Sequence, residues 1–353
     1  MTRENILIVG GYGEVGSKIA TLLLSSYPNR VCIAGRNLEK AKQFCAQHHD
    51  LAKPIQMDVS KTVPSQQLAN VALVIMCLEQ KNTSFAHLCL KEGIKYIDIT
   101  ASYAFLKKLE DLHLIAEQNH STAVFSVGMA PGLTNLMAMH AAQQLSSIEK
   151  LHISILLGAG DTHGTAAILW ILQQLNIPYY TYRNRKVANF TKKRIVQFKG
   201  IGKRSVYQFN FSDQHTLTRH YSHIPIETRL GFDVESLNRY VSFLQKSRIA
   251  YLLKFNKAQT TLASIIQKTK IGSDVCAIKI EAIGTKHHKD TTVIVDFIDH
   301  DESLVTAKVA ASIATQLLEN KYPSGTYHIE DLFTFESLQQ QFETSSFSKS
   351  FMP

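Results

Sequence analysis

A glycine-rich turn near the start of the chain, set between an apolar run and an amphipathic one, constrains the fold more than any other feature. Asn5–Gly10 reads as a strand, Gly11-Tyr12-Gly13-Glu14-Val15-Gly16 follows, and Glu14–Ser26 carries Val15, Ile19, Leu22 and Leu23 at helical spacing. The turn has the spacing G-x-G-x-x-G, and each glycine has a separate physical duty. Gly11 permits the tight turn, Gly13 lets backbone approach a pyrophosphate, and Gly16 lets helix and strand pack closely. The helix start then offers amide donors and the positive end of a dipole to phosphate. A match of this kind is weak alone. Its place directly after a strand and at the opening of a helix is the context that dinucleotide binding requires. Gly11, Tyr12, Gly13, Glu14, Val15 and Gly16 are therefore candidate cofactor contacts.

The alternation continues. Val31–Ala34, Ile55–Met57 and Val71–Leu78 read as strands two to four, with Leu38–His48 helical between the first pair. Thr83–Glu92, Tyr96–Thr100, Ala104–His120 and Ala123–Val127 extend the pattern. This order predicts an α/β fold, a Rossmann doubly wound parallel sheet with ligand outside the carboxyl ends of its strands. Those ends nominate Asp58 for the adenine edge, with a turn-forming aspartate the equal alternative, and add Cys77 and Thr100. At the end of strand two, sites for NAD usually carry an acidic residue for the ribose hydroxyls. Here the segment is Ala34-Gly35-Arg36-Asn37, with no carboxylate before Glu39. Arg36 suits the charge-assisted bonds a 2′-phosphate offers, so Arg36 and Asn37 point to NADP(H) over NAD(H).

Beyond Leu151 the pattern changes. Leu151–Leu157, Arg194–Phe198, Ser205–Phe211, Val275–Ile283 and Thr291–Ile298 read as strands; Thr165–Leu175, Val234–Gln245 and Thr260–Lys268 read as helices. This is an inserted α+β segment, after which the amphipathic helix Ser303–Leu318 is expected to return to the first domain. The expected organisation is a Rossmann domain over 1–145, an inserted α+β substrate and dimerisation domain over 146–300, a returning segment over 301–335, and a tail over 336–353 whose serine-rich end, Thr344–Pro353, is expected to fray.

The 353 residues suffice for two buried cores, and 45% hydrophobic with 19% charged residues excludes disordered and fibrous classes. No apolar run reaches the roughly 18 residues of a membrane helix, and strand one begins too early for a signal peptide. A cytoplasmic protein without membrane contact is expected. Five cysteines without a C-x-x-C pair fit a reducing compartment, and His48–His49 and His287–His288 lack partners at metal-ligand spacing, so no metal is expected. The net charge is +9, and between Asp161 and Asp213 no acidic residue offsets Arg183, Arg185, Lys186, Lys192, Lys193, Arg194, Lys199, Lys203 and Arg204. That stretch reads equally as a solvated basic face or as a field steering an anionic ligand; nucleic acid is not the expected partner.

The sequence resembles the saccharopine dehydrogenase/reductase-like family. Gly11–Gly16 and Ala34–Asn37 are similar to its G-x-G-x-x-G and A-G-R-[SN] segments, and Gly128-Met129-Ala130-Pro131-Gly132-Leu133-Thr134-Asn135-Leu136 resembles its G-x-x-P-G-[LV]-T-N. Tyr96–Thr100, Gly158–Gly164 with Trp170, and Gly325–Glu330 add weaker likeness. The resemblance implies a split Rossmann domain, an inserted α+β domain that often mediates a homodimer, NADP(H) redox chemistry, and an amino-acid or oxo-acid substrate joined or cleaved at a C–N bond. A carbonyl or enoyl reductase, and a protein that senses NADP without turnover, are the alternatives.

Pro131 and the following glycine are expected to expose backbone beside the nicotinamide, while Thr134 or Asn135 caps a helix or touches ligand. The family motif assigns no catalytic group, so the candidates rest on chemistry. His163, between glycines before a helix, titrates nearest neutral pH, although Asp161 or Thr162 as a helix cap would leave it a bystander. Asp213 and His215 form a second acid/base pair or a turn. Arg229, with Arg204 and Arg219, is a candidate clamp for substrate carboxylates. The Y-x-x-x-K spacing of Tyr103 and Lys107 comes too early in the chain for a short-chain reductase, and Gly200–Lys203 lacks the remainder of a P-loop.

Overall fold

The computed structural model describes residues 3–161, 165–175, 177–247, 272–339, 342 and 346–352. Strands and helices alternate at first: β1 Asn5–Val9, α1 Glu14–Leu24, β2 Val31–Gly35, α2 Leu38–Gln47, β3 Lys53–Gln56, β4 Val71–Met76, α3 Ser84–Lys91, β5 Lys95–Asp98, α4 Tyr103–Glu110, α5 His113–Gln118 and β6 Thr122–Phe125. Then come α6 Thr134–Ala142, β7 Ser147–Leu157, α7 Thr165–Leu175, β8 Tyr179–Thr181, β9 Arg185–Val187, β10 Thr191–Phe198, β11 Gly202–Gln208, the single turn α8 Asp213–Thr216, β12 Ile226–Phe232, α9 Glu235–Lys246, β13 Val275–Lys286 and β14 Lys289–His300. The chain closes with α10 Glu302–Glu319, β15 Gly325–His328 and, after two short helices, β16 Ser346–Met352. Two compact units result, Met1–Leu133 with Ser303–Gln341, and Thr134–Glu302 with Phe342–Pro353.

The first unit is built on a seven-stranded sheet in the order β15-β6-β5-β4-β1-β2-β3, parallel throughout. Ile6–Val9 of β1 and Leu73–Met76 of β4 have no exposed surface. Strands covered on both faces have no solvent side, which is why their sequences run apolar without alternation. Strand order reverses beside β1, since β2 and β3 lie to one side and β4, β5, β6 and β15 to the other. A crevice outside the carboxyl ends opens at such a point.

The second unit carries a seven-stranded mixed sheet, β10-β11-β12-β7-β13-β14-β16, antiparallel except for the β12–β7 pair. Register places Ile153 beside Thr228 and Ile280 on one face, and Ser154 beside Arg229 and Lys279 on the other. The sheet is strongly coiled. Arg194 of β10 reaches Glu281 of β13 at 2.9 Å although three strands stand between them, and four steps of about 4.8 Å across a flat sheet would exceed the reach of both side chains. Among the described residues no helix is long and apolar enough to cross a membrane.

Three expectations need correction or qualification. The first unit ends at Leu133, not 145, because α6 lies against β7, β13 and β14 of the second sheet. The tail does not fray: β16 pairs antiparallel with β14 from Thr292↔Met352 to Ile298↔Ser346, and Phe347 packs on Phe297 at 4.8 Å. Backbone pairing and the contact of the half-buried Phe347 with the buried Phe297 outweigh a serine-rich composition. The helix expected over Thr260–Lys268 lies outside the described residues.

A chain ending at residue 345 loses this strand and leaves the edge of β14 unpaired. Its melting temperature is expected to fall by roughly 5 °C or more, with faster self-association through the open edge. Scanning calorimetry and light scattering check this, and an unchanged melt would show that β16 contributes nothing.

Candidate cofactor-binding site

Gly10, at φ +83°, turns the chain out of β1 in the left-handed region that glycine favours. A Cβ at Gly16 would lie 2.3 Å from the Gly10 carbonyl oxygen, so only glycine lets α1 start this close to the strand. The helix opens at Gly13 without a side-chain cap, leaving its first-turn amides to an external acceptor. The Glu14 carboxylate, which would repel phosphate, is engaged by Lys18 Nζ at 2.8 Å and by the Ser303 hydroxyl at 3.3 Å.

At the tip of β2, a Cβ on Gly35 would fall 2.4 Å from the Tyr12 ring, so the ring rests on the glycine. The Tyr12 hydroxyl accepts from the Asn37 amide at 3.0 Å, and Asn37 Oδ1 accepts from the Lys40 amide at 3.1 Å, capping α2. Asn37 thus serves the helix through its side chain. Beside it opens a cavity of about 590 Å³ lined by Tyr12, Arg36, Asn37, Leu38, Glu39, Lys40 and Gln56. Arg36 and Lys40 are exposed, and neither side chain makes a hydrogen bond or ion pair among the described residues, whereas Glu39 pairs with Lys42 at 3.0 Å. With that carboxylate matched, the cavity is left with two cationic groups, an environment suited to a phosphate monoester.

The remaining candidates sit at the carboxyl edge of the same sheet in different states. Asp58 Oδ1 accepts from the Ser60 hydroxyl at 2.6 Å and its amide at 3.1 Å, a local turn whose hydrogen bonds hold the carboxyl below its usual range. The Cys77 amide donates to the Val9 carbonyl at 3.0 Å, tying β4 to β1, and burial pushes its thiol up. The Thr100 amide donates to Asp98 Oδ1 at 2.9 Å. Asp98 itself is wholly buried. Its Oδ2 accepts from Tyr96 Oη at 3.0 Å and Gln80 Nε2 at 2.9 Å, and burial raises its pKa to about 6. After β6, Pro131 and Gly132 are buried rather than exposed, because the segment folds back on itself. Gly132, at φ +131°, packs against the Ser126 carbonyl, and the Met129 amide donates to Thr306 Oγ1 at 3.0 Å.

In the second unit the proposed acid–base groups are drawn into local bonds. His163 lies outside the described residues. Asp213 is wholly buried, and its Oδ1 accepts from Thr228 Oγ1 and from the Gln214 amide, each at 2.6 Å. His215 Nε2 is 2.6 Å from Asn210 Oδ1, and burial lowers the ring to about 4, so it is neutral at pH 7. Arg229 donates to Glu227 Oε2 at 2.8 Å and lies 3.4 Å from His152 Nδ1; burial and neighbouring cations push His152 down to about 3. Asn135 is buried and donates to Thr216 Oγ1 at 2.8 Å. The basic stretch finds carboxylates from distant segments: Arg185 with Glu227 at 3.7 Å, Lys193 with Glu235 at 3.9 Å, and Arg194 with Glu281.

Residues 6–124 match the family model described as the saccharopine dehydrogenase NADP binding domain. The first unit carries an NADP-binding domain of the saccharopine dehydrogenase type. Over the whole chain the fold is similar to that of the apo histidine-tagged saccharopine dehydrogenase (L-Glu forming) from Saccharomyces cerevisiae, with 13% identity, 99% of this chain and 100% of that chain covered, and a TM-score of 0.70. A DAP dehydrogenase from C. glutamicum in complex with DAP is 12% identical over 96% of each chain, with a TM-score of 0.50. At such identities the likeness is one of fold: a doubly wound sheet with an inserted α+β unit. No curated protein matches the chain.

Around the candidate site stand residues that sequence reading passed over. Lys40 and Gln56 look like ordinary surface residues until the cavity groups them. Asp98 had a usable signal, a lone carboxylate inside the apolar run Tyr96–Ile99. Its pKa implies a test. Because the folded value of about 6 exceeds the ordinary aspartate value of 3.8, the folded state holds the proton more tightly; this contribution is full below about 4 and is lost as pH rises through about 6. Asp98→Asn cannot ionise, so the stability of variant relative to wild type should rise between pH 4 and 7. Thermal melts across that range read this out, and a constant difference would show that Asp98 titrates normally.

Proposed function

We propose that the protein is an NADP(H)-dependent oxidoreductase acting at a C–N bond of an amino-acid-derived substrate. The observation that carries the cofactor half is the cavity at the tip of β2, where Arg36 and Lys40 lie beside the glycine turn on a domain matching an NADP-binding family. The residues fit such a ligand. The open amides at the start of α1, Glu14 to Gly16, would hold the pyrophosphate, Arg36 and Lys40 the 2′-phosphate, and Cys77, Thr100 and Pro131 would flank the nicotinamide side. When bound, the dinucleotide supplies or accepts hydride, while the protein binds, orients and excludes water. The substrate class rests on the family resemblance and on fold relatives that are a saccharopine dehydrogenase and a DAP dehydrogenase. The same resemblance supports a homodimer, and the five unpaired cysteines support a reducing, cytoplasmic setting.

Arg36→Glu is expected to weaken NADPH binding roughly 10- to 100-fold, the scale of a lost charge-assisted contact, and to leave NADH binding unchanged or improved. Fluorescence titration of both coenzymes checks it; equal losses for the two would remove the 2′-phosphate assignment. NADPH consumption with paired amines and oxo acids, and not with simple ketones, tests the C–N assignment.

The engagement of Asp213, His215 and Arg229 in bonds within the second unit favours, as a second reading, a protein that holds NADP without turnover. Stoichiometric binding with no oxidation across the same panel would select it.

A further inference from the structure

Gln56 closes β3 in register with Gly35, is exposed, and lines the cavity that holds Arg36 and Lys40. Its Nε2 donates to the Arg36 backbone carbonyl at 3.2 Å. A carbonyl oxygen only accepts, so the anchored atom of the amide must be its nitrogen. The orientation is thereby settled by chemistry, and Oε1 is the atom left for a ligand. No hydrogen bond to Oε1 is made among the described residues. A nucleotide whose 2′-phosphate lies at Arg36 and Lys40 carries its base on the adjacent ribose carbon, within the same cavity. Adenine differs from the 6-oxo purines in presenting an amino donor at position 6, and a fixed acceptor distinguishes the two. The carboxylate first nominated for this edge, Asp58, is bound to Ser60.

We propose that Gln56 reads the adenine of the dinucleotide, its Oε1 accepting a hydrogen bond from the 6-amino group while Nε2 stays tied to the Arg36 carbonyl. This rests on the NADP reading above and adds base specificity to it. Arg36 then has two roles. Its guanidinium meets the phosphate, and its carbonyl orients the residue that meets the base. A 6-oxo purine in the same pose sets two acceptors against each other, which leaves both unpaired.

The test uses the full chain and two probes, adenosine 2′,5′-bisphosphate and inosine 2′,5′-bisphosphate, titrated by calorimetry. Wild type should bind the adenosine compound roughly five- to tenfold more tightly, the scale of one hydrogen bond in a partly exposed site. Gln56→Leu should bring the two within about twofold, with the loss on the adenosine side. Gln56→Glu, which has no N–H for the Arg36 carbonyl, should also reduce the preference. Unchanged thermal melts establish that both variants fold. Equal binding of the two compounds by wild type, or a full preference retained in Gln56→Leu, would overturn the proposal. Failure of the NADP reading shows separately, as wild-type affinity for adenosine 2′,5′-bisphosphate no better than for adenosine 5′-phosphate.

Discussion

The first unit depends on one close approach, that of Gly16 to the carbonyl of Gly10. With no Cβ at position 16, α1 begins almost in contact with the end of β1, and the amides of its first turn lie over the switch point of the sheet. Other features follow from the placement of that turn. Tyr12, inside it, lies on Gly35 and accepts from Asn37, so the phosphate turn and the cap of α2 are joined by one phenol. Asn37 in turn sets the start of α2, which brings Lys40 to the cavity beside Arg36. Two consecutive βα turns are thus held in mutual register by a glycine contact and two hydrogen bonds, all within a short stretch of chain.

How far the molecule is legible from its sequence differs between the units for physical reasons. In the first, burial on both faces writes continuous apolar runs, and the glycines mark the turn, so β1, α1, β2 and β4 can be placed to within a few residues. Arg36 is legible because it stands where a carboxylate would serve a different coenzyme. Lys40 and Gln56 are not, since an exposed lysine in a helix and an exposed glutamine at a strand end carry no local signal. Asp58 shows the opposite failure: its position suits a ligand contact, yet Ser60, two residues on, gives it a turn. The edge strand β16 was hidden by its serines, because edge pairing depends on backbone groups that every residue possesses.

In the second unit sequence distance hides the electrostatics. The run of cations from Arg183 to Arg204 contains no carboxylate, but the sheet order brings β10 into a coiled surface with β12 and β13, whose Glu227 and Glu281 come from far along the chain. Arg229, Lys279 and Asp296 are each about nine-tenths buried. Lys279 and Asp296 are cross-strand neighbours 3.5 Å apart, and burial raises the aspartate, with desolvation outweighing the lysine. Such pairs return little net stability for their desolvation. A one-residue slip of β14 against β13 would turn Asp296 to the apolar face and leave Lys279 unpaired, so the pair penalises the wrong register more than it stabilises the right one.

The end of β6 poses a related question about what a hydrogen-bonded cluster is for. Ser126, at φ +58°, sits 2.7 Å from His328 Nδ1, and His328 Nε2 is 3.0 Å from Glu110 Oε1. Serine, histidine and carboxylate in a row have the composition of an activated nucleophile. Burial decides against that role, since Ser126 has no exposed surface and His328 has 1%. The wiring agrees. Glu110 as a carboxylate only accepts, so Nε2 is the nitrogen that donates to it, while Nδ1 faces the Ser126 hydroxyl and the first turn of the helix Ile329–Leu332 that His328 caps. Every polar atom of the ring is thereby committed to structure. What the cluster supports is the left-handed turn at Ser126, an uncommon conformation for a residue with a Cβ, and through it the folded-back segment that ends at Leu133. The row of groups is a brace for the carboxyl edge of the sheet, joining α4, β6 and β15, on the side of β4 opposite the phosphate turn.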